Sequence, residues 1–526
     1  MRLWAGATAH RYNFQGKTQQ VMISARELSQ NQLQPRAKTW LNEHLVYTHG
    51  YGVVANTVNE VTKEGLPQFI IKDIPPKSSV EISIDRPEIY YGEVDDVGYV
   101  VVNTRQEEFD YPMGDTNQYT RYAGTGGIKL SSFNKIAMVI KYGTLKFLLS
   151  GDITPKSKIM FHRSIRERVE NIAPFLQYDN DPYIVISNGK LYYIQDAYTT
   201  DSKYPYSEPF TPLTLHPFKP LNYIRNSVKV VIDAYNGNVD FYVFDPEDPL
   251  VQTYSKIFPN LFKSIDKMPR DLQKHIRYPQ GLFEIQAQLY SVYHMEDPLV
   301  FYNKEDAWNI PKEIYETSAI IMEPYYVLLE LNHTEEFMLM IPFTPNKKAN
   351  MIAWFAANPD GDLIIYKFSK QELVYGPMQI EARIDQDAEI SEQLTLWSQK
   401  GSSVIRGNLL VIPIANSILY VEPLYIKAEK GELPELKRVL AAYNGKVTMQ
   451  LTLEDALKDL FAITPLKEKE IISENKTLKQ LSQQALQHYE TAQKYLKEGN
   501  WSGYGYELDM LGETLKVLVN VSEERS

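Results

Sequence analysis

The residues able to do chemistry in this 526-residue chain sit in a few short segments. Asp385-Gln-Asp387-Ala-Glu389 places three carboxylates within five residues. Alternating oxygen ligands suit a hard cation, calcium before zinc, with Asn350 or another loop oxygen completing the shell. The glycine and terminal glutamate of an EF-hand are missing. Arg383 and Arg406 offer the competing reading, an ion-paired acidic loop. Asp179 and Asp181, followed by Pro182, make a weaker copy in which Asp-Pro also simply starts a turn. Glu43-His44 with His49 is the one cluster with imidazoles, and two imidazoles with a carboxylate can ligate zinc or another divalent ion. A five-residue separation does not put both rings on one helical face, so a metal would need a loop here. The alternative is two hydrogen-bonded histidines in a packed loop. Gly124-Thr-Gly-Gly127 could wrap an anion with backbone N–H groups, but Gly-Lys-Ser/Thr is absent and a flexible loop is the better reading.

Other chemistries are excluded or unmarked. There is no cysteine, which removes disulfides, thiolate–metal sites and thiol catalysis. No Gly-x-Ser-x-Gly elbow or Ser/Lys signature is present, so no nucleophile stands out. Lys plus Arg is 55 and Asp plus Glu is 66, a net charge of −11, which argues against nucleic acid as a partner. Carboxylates this numerous hide any glycosidase pair. The 37 tyrosines crowd into runs such as Tyr198 to Tyr206 and Tyr90 to Tyr111. Such runs pack strands or stack on sugars and peptides.

The elements that must position these residues are mostly hairpins. Asn188-Gly189, Asn236-Gly237, Asp360-Gly361 and Asn444-Gly445 each lie between apolar runs, the strongest short-range hairpin signal. Further tips are read near Asp95, Gly143, Asn332 and Asn416. The paired spacing of these turns predicts four copies of hairpin–loop–hairpin, over about 88–150, 183–245, 325–368 and 407–452. Four antiparallel strands per copy is the make-up of a propeller blade. A fifth hairpin-like stretch is read over Leu282 to Tyr302. The expected fold is therefore mainly β with inserted helices, in repeated four-strand, propeller-like units, plus a C-terminal helical hairpin. Helices are expected over Lys158–Ile172, Pro249–Phe262, Pro269–His275 and Ala456–Phe461, and in the tail at 475–498 and 503–520. The expected division is an N-terminal segment, 1–85, packing on a β body, 86–455, followed by a helical region, 456–526. The tail hairpin is expected to pack on the body, because two helices alone bury too little. No apolar run approaches the ~18 residues of a membrane helix, and the first residues do not read as a signal peptide.

Several long words then carry a resemblance. They are Trp40 to Val54, Asp179 to Thr199, Tyr204-Pro-Tyr-Ser207, Tyr223 to Gly237, Asn350 to Trp354, Val374 to Pro377, Glu381-Ala-Arg-Ile-Asp-Gln-Asp387 and Ser403 to Pro413. In this order they resemble uncharacterised protein family 0182. That resemblance implies large bacterial integral membrane proteins, with a multi-helix membrane half followed by a big soluble half. This chain resembles only the soluble half. The resemblance implies a place at the plasma membrane, on the extracytoplasmic side, with the membrane-embedded half as partner. It implies no particular activity.

Two functions fit these readings. One is a ligand-binding or assembly module, a β platform with a helical tail. The other is a cell-envelope hydrolase acting on glycan or lipid through acidic residues. The absence of a catalytic signature favours the first, so the chain is expected not to be an enzyme. Calcium is the cofactor that the carboxylates would suit, and an envelope ligand or protein is a further expected partner.

Overall fold

A computed structural model of the protein describes residues 7–461, apart from 15, 211–214, 217–219, 332–333, 370, 372, 400, 415–416 and 429–433. It also describes 478–497 and separate positions between 504 and 515. The chain divides into two compact units, Met1–Phe461 and Ala462–Ser526.

Four antiparallel meanders organise the first unit, which is mainly β. The first contains β1 (Thr8–Phe14), β2 (Lys17–Ala25), β3 (Val53–Val61) and β4 (Pro67–Lys72). The second contains β5 (Tyr183–Ser187), β6 (Gly189–Asp201), β7 (Tyr223–Asp233) and β8 (Val239–Val243). The third contains β9 (Tyr325–Leu331), β10 (Thr334–Pro345), β11 (Ala353–Ala357) and β12 (Leu363–Lys367). The fourth contains β13 (Leu410–Ile414), β14 (Ser417–Ala428), β15 (Glu435–Tyr443) and β16 (Lys446–Gln450). Within each, sequential strands are hydrogen-bonded neighbours.

The last three meanders share a further device. The long second strand is paired along one half by its hairpin partner and along the other half by a short strand from earlier in the chain. Gln177–Asp179 does this on β6, Trp308–Asn309 on β10 and Ser402–Arg406 on β14. A long strand in a twisting sheet leaves part of its edge unpaired, and the added strand satisfies those backbone groups. Asn188-Gly189 and Asn444-Gly445 hold positive φ at both central residues, the geometry that a tight right-twisted hairpin requires. The expected tips at Asn332 and Asn416 lie outside the described residues, but their flanking strands pair as hairpins.

Some sequence expectations are corrected. The first meander occupies 8–72, not 88–150. Ile136 to Tyr142, read as a strand turning at Gly143, is the helix Ser132–Tyr142, followed by the short helix Lys146–Leu149. A continuous apolar run does not separate strand from helix, and here the caps decide. The Ser131 side chain accepts from Asn134 N, and Gly143 ends the helix in the left-handed region. Lys158–Ile172 is not one helix. Lys158–Phe161 is a strand paired with Tyr99–Val102, and the helix begins at Ile165. Leu282 to Tyr302 is not a hairpin but two helices, Gln280–Tyr293 and Pro298–Asn303.

The cores follow the sheets. The first two meanders share a cluster that includes Tyr12, Phe14, Val21, Ile184, Ile186, Tyr193 and Val230. The third and fourth share another, with Met338, Met340, Trp354, Val411, Tyr420 and Leu440. Alternation along β10 sends Met338 and Met340 into this cluster. Leu339, Ile341 and Phe343 enter a different one, under the Gln280–Tyr293 helix. Direct hydrogen bonds tie the first meander to the next two. Tyr12 OH accepts from Ile186 N at 3.0 Å, and Gln20 bonds both Tyr326 O and Leu328 N.

In the second unit, the helix Leu478–Lys497 is followed by helical positions at 507–508, 510–512 and 514–515. His488 Nδ1 meets Glu507 at 2.7 Å, which links the two segments of the hairpin. The expected helix ends at 475–477 and 516–520 lie outside the described residues.

Candidate binding clefts and a buried ion cluster

Two of the three carboxylates of the 385–389 segment, Asp385 and Asp387, point to different partners. Asp387 caps the helix Ala388–Trp397, accepting from Glu389 N and Ile390 N at 3.1 Å. Asp385 accepts from Arg406 Nη1 at 2.9 Å. The tighter cluster lies behind it. Arg406 also donates to Glu381, and twice to Glu422 at 2.5 and 2.8 Å. Glu381 and Glu422 are 1% and 0% exposed, so one guanidinium serves two buried carboxyls and a third at the surface. Burial, and then the Glu422 charge, push the Glu381 carboxyl up to about 8 against the pull of Arg406. Burial works to lower the Arg406 guanidinium, but Glu422 and Glu381 outweigh it and raise it. Glu313, also buried, faces this region from another strand, where it accepts from Asn408 and Leu409 N.

The predicted histidines are likewise engaged. His44 stacks on Tyr99 at 4.0 Å and meets the Tyr99 carbonyl through Nδ1. His49 is buried beside Tyr90, with Nδ1 on Gly50 O, and burial lowers it to about 4. Glu43 lies in the same helical turn as His44. Among the described residues no three His, Asp or Glu side chains converge to hold a metal ion. The glycine loop closes on protein instead of an anion. Thr125 N donates to Asn236 Oδ1 and Gly126 N to Tyr122 OH, fastening the loop to the Asn236-Gly237 turn.

Two polar clefts open where the first three meanders meet. The larger, about 740 Å³, gathers hairpin ends from all three. The first hairpin contributes Arg11, Tyr12 and Asn13, the Asn188-Gly189 tip comes from the second meander, and Glu335 to Phe337 with Asn358 to Asp360 come from the third. Asp271, Lys274 and His275 enter from the Arg270–Gln273 helix and the residues after it. Its wall carries Glu81, Asp271, Glu335, Glu336 and Asp360 against Arg11 and Lys274, so the cleft is acidic. His275 packs on Tyr12 at 4.6 Å, and burial lowers it to about 4, so it is neutral at pH 7. Burial also lowers the Arg11 guanidinium, which lies over the Phe337 ring at 5.5 Å. Among the described residues, the buried Nη1 of Arg11 and Nδ1 of His275 have no hydrogen-bond partner. A buried polar atom without a partner costs free energy that a ligand can recover.

The second cleft, about 430 Å³, holds the Asp179 and Asp181 pair. Asp179 accepts from Tyr198 OH at 2.6 Å and from Gly281 N at the start of the Gln280–Tyr293 helix. Burial raises its carboxyl to about 7 despite the Tyr198 hydrogen bond. Asp181 pairs at 2.6 Å with Arg277, whose guanidinium lies over Tyr183 and Tyr326. Tyr326 in this cleft stacks on Phe337 in the larger one, so the two share a wall. Sequence reasoning singled out Asp179 and Asp181 but missed Arg11, His275 and Arg277. Their available signal is the pair of words His10-Arg-Tyr12 and His275-Ile-Arg-Tyr278, 263 residues apart in the chain and adjacent in the fold.

A family model described as Uncharacterised protein family (UPF0182) matches residues 4–397. The chain belongs to this family. It is 52% identical over 523 residues to a UPF0182 protein of Pelotomaculum thermopropionicum, covering 97% of this chain and 56% of that protein. A UPF0182 protein of Methanospirillum hungatei is 55% identical over 459 residues, 86% of this chain and 51% of the relative. One from Trichodesmium erythraeum is 47% identical over 536 residues, 98% of this chain and 58% of the relative. The chain thus spans little more than half the length of these curated relatives. No solved structure matches it.

Proposed function

We propose that the chain is a ligand-binding module of a longer UPF0182 membrane protein, held on the extracytoplasmic side of the plasma membrane. The larger cleft carries this reading. Three meanders turn their hairpin ends toward one acidic space, with two unpartnered polar atoms at its wall and Tyr12 and Phe337 beside them. That wall suits a hydroxyl-rich ligand bearing positive charge, such as an amino-sugar oligomer. Hydroxyls supply acceptors for Arg11, and amines meet Asp271 and Glu336.

Isothermal titration with glucosamine oligomers and with their N-acetylated forms tests this. The amino form is expected to bind, and Asp271→Asn with Glu336→Gln to weaken it about tenfold. Equal affinity in both proteins, or for both ligands, removes the reading.

The placement rests on the family resemblance and on the partial coverage of the relatives. Among the described residues no helix is long and apolar enough to cross a membrane, so the rest of such a protein would supply the anchor. A periplasm-dependent phosphatase fused after Ser526 in an intact family member is expected to be active. The same reading takes the four meanders as propeller-like blades, supported by the shared core between the first and second and that between the third and fourth.

A second reading, an envelope hydrolase, has one observation in its favour. Burial raises the Asp179 carboxyl to about 7, within the range of a general acid or base, and Arg277 pairs with Asp181 beside it. Release of reducing ends from envelope glycan, lost in Asp179→Asn, would support it.

A further inference from the structure

Among the described residues nothing covers one apolar face of the helices Ser132–Tyr142 and Lys146–Leu149. Phe133, Ile140 and Leu149 are 79, 79 and 78% exposed, and Ile136, Leu145 and Leu148 are exposed beside them. Phe133, Ile136 and Ile140 recur at helical spacing on one stripe, while Met138 and Phe147 point inward and are buried. Six exposed aliphatic and aromatic side chains on two short consecutive helices differ from the scattered apolar residues of an ordinary surface.

Charge indicates what covers this face. From 116 to 151 there is no Asp or Glu, but there are Arg121, Lys129, Lys135, Lys141 and Lys146, in a chain whose net charge is −11. Acids from other elements do approach the base of the hairpin. Asp95 and Glu167 act on Tyr142, and Glu43 acts on His44. None of these comes from the hairpin itself. A partner protein is not expected to demand an acid-free segment, whereas an anionic headgroup layer does, and the apolar stripe suits the acyl boundary beneath it.

We propose that this helical hairpin is a membrane-surface contact, inserting Phe133, Ile140 and Leu149 into an anionic bilayer while its lysines meet the headgroups. The contact orients the module against the lipid and is independent of the cleft, so its failure leaves the cleft reading intact.

Vesicle co-sedimentation of the full chain tests it. Vesicles of phosphatidylcholine with roughly one-third phosphatidylglycerol are compared with pure phosphatidylcholine, at low and high salt. Binding is expected to the anionic vesicles and to weaken with salt. Ile140→Asp with Leu149→Asp should lower the partition at least ~tenfold. Lys135→Glu, Lys141→Glu and Lys146→Glu together should lower it on the order of a hundredfold. Both sets alter exposed or half-exposed positions, and an unchanged melting temperature confirms that they fold. Wild type that ignores anionic vesicles, or binds neutral ones equally, overturns the proposal. So does a wild-type dimer that Ile140→Asp converts to monomer while vesicle binding is unchanged, which would assign the face to a second copy of this chain.

Discussion

At the scale of single residues, the Arg406 cluster makes the sharpest statement about energetics. Glu381 is held near 8, above its ordinary value of 4.5. At low pH the folded and unfolded states both carry its proton. As pH rises past the ordinary value, the unfolded state releases that proton and the folded state keeps it, so stability falls until about pH 8 and then levels. Glu381→Gln is therefore expected to flatten the decline in melting temperature between pH 5 and pH 8. A decline as steep as wild type would show that the proton sits elsewhere in the cluster. Asp387 behaves differently, because it caps a helix. Asp387→Ala should cost about 1 kcal/mol, the value of a lost cap, with or without calcium. A calcium-dependent rise in melting temperature, present in wild type and absent in Asp385→Asn plus Asp387→Asn, would restore the metal reading.

At the scale of elements, the turns carry the hairpins, and two glycines separate backbone strain from packing. Gly361 has φ +103 and open space where a Cβ would project. Gly361→Ala should cost only the strain, ~1–2 kcal/mol. Gly237 has φ +69, and a Cβ there would meet the Tyr91 ring at 2.5 Å. Tyr91 is buried, so it has little room to yield. Gly237→Ala should add a further ~1–3 kcal/mol of overpacking. Urea denaturation of the two variants gives the comparison directly, and equal midpoints would mean that the ring relaxes freely. The turn at Gly237 also anchors the 122–126 loop through Asn236, so its distortion reaches a second element.

At the scale of the first unit, the paired meanders make two cores that share no member. Ile186→Ala opens a cavity in the first and Met340→Ala in the second. Each should cost ~2–5 kcal/mol. Because the two sites have no common partners, the double variant should equal the sum within ~0.5 kcal/mol. A larger coupling, read from the same denaturation curves, would show that the cores communicate through the Gln280–Tyr293 helix and its own cluster.

What the sequence determined by itself was local. Asn188-Gly189 and Asn444-Gly445 dictate hairpins because few other pairs accept positive φ twice, and long shared words were enough to identify the family. The helix expected over Ala456–Phe461 forms over Leu453–Leu460, where the Thr452 side chain accepts from Asp455 N. Where the local signal was ambiguous, the reading failed. The apolar run at Ile136 fits a strand or a helix, and only its caps and the burial of Met138 and Phe147 choose between them. The larger cleft was beyond reach for a different reason. Arg11 and His275 are 264 residues apart, and the acids around them look like every other acid in an acidic chain. For Asp385 the sequence offered both a cation and Arg406 as partner, and the fold places Arg406 beside it; the burial that raises the Glu381 carboxyl has no local signal. Turn geometry depends on two or three adjacent residues, whereas desolvation and charge pairing depend on which distant strands the tertiary fold brings to the same place.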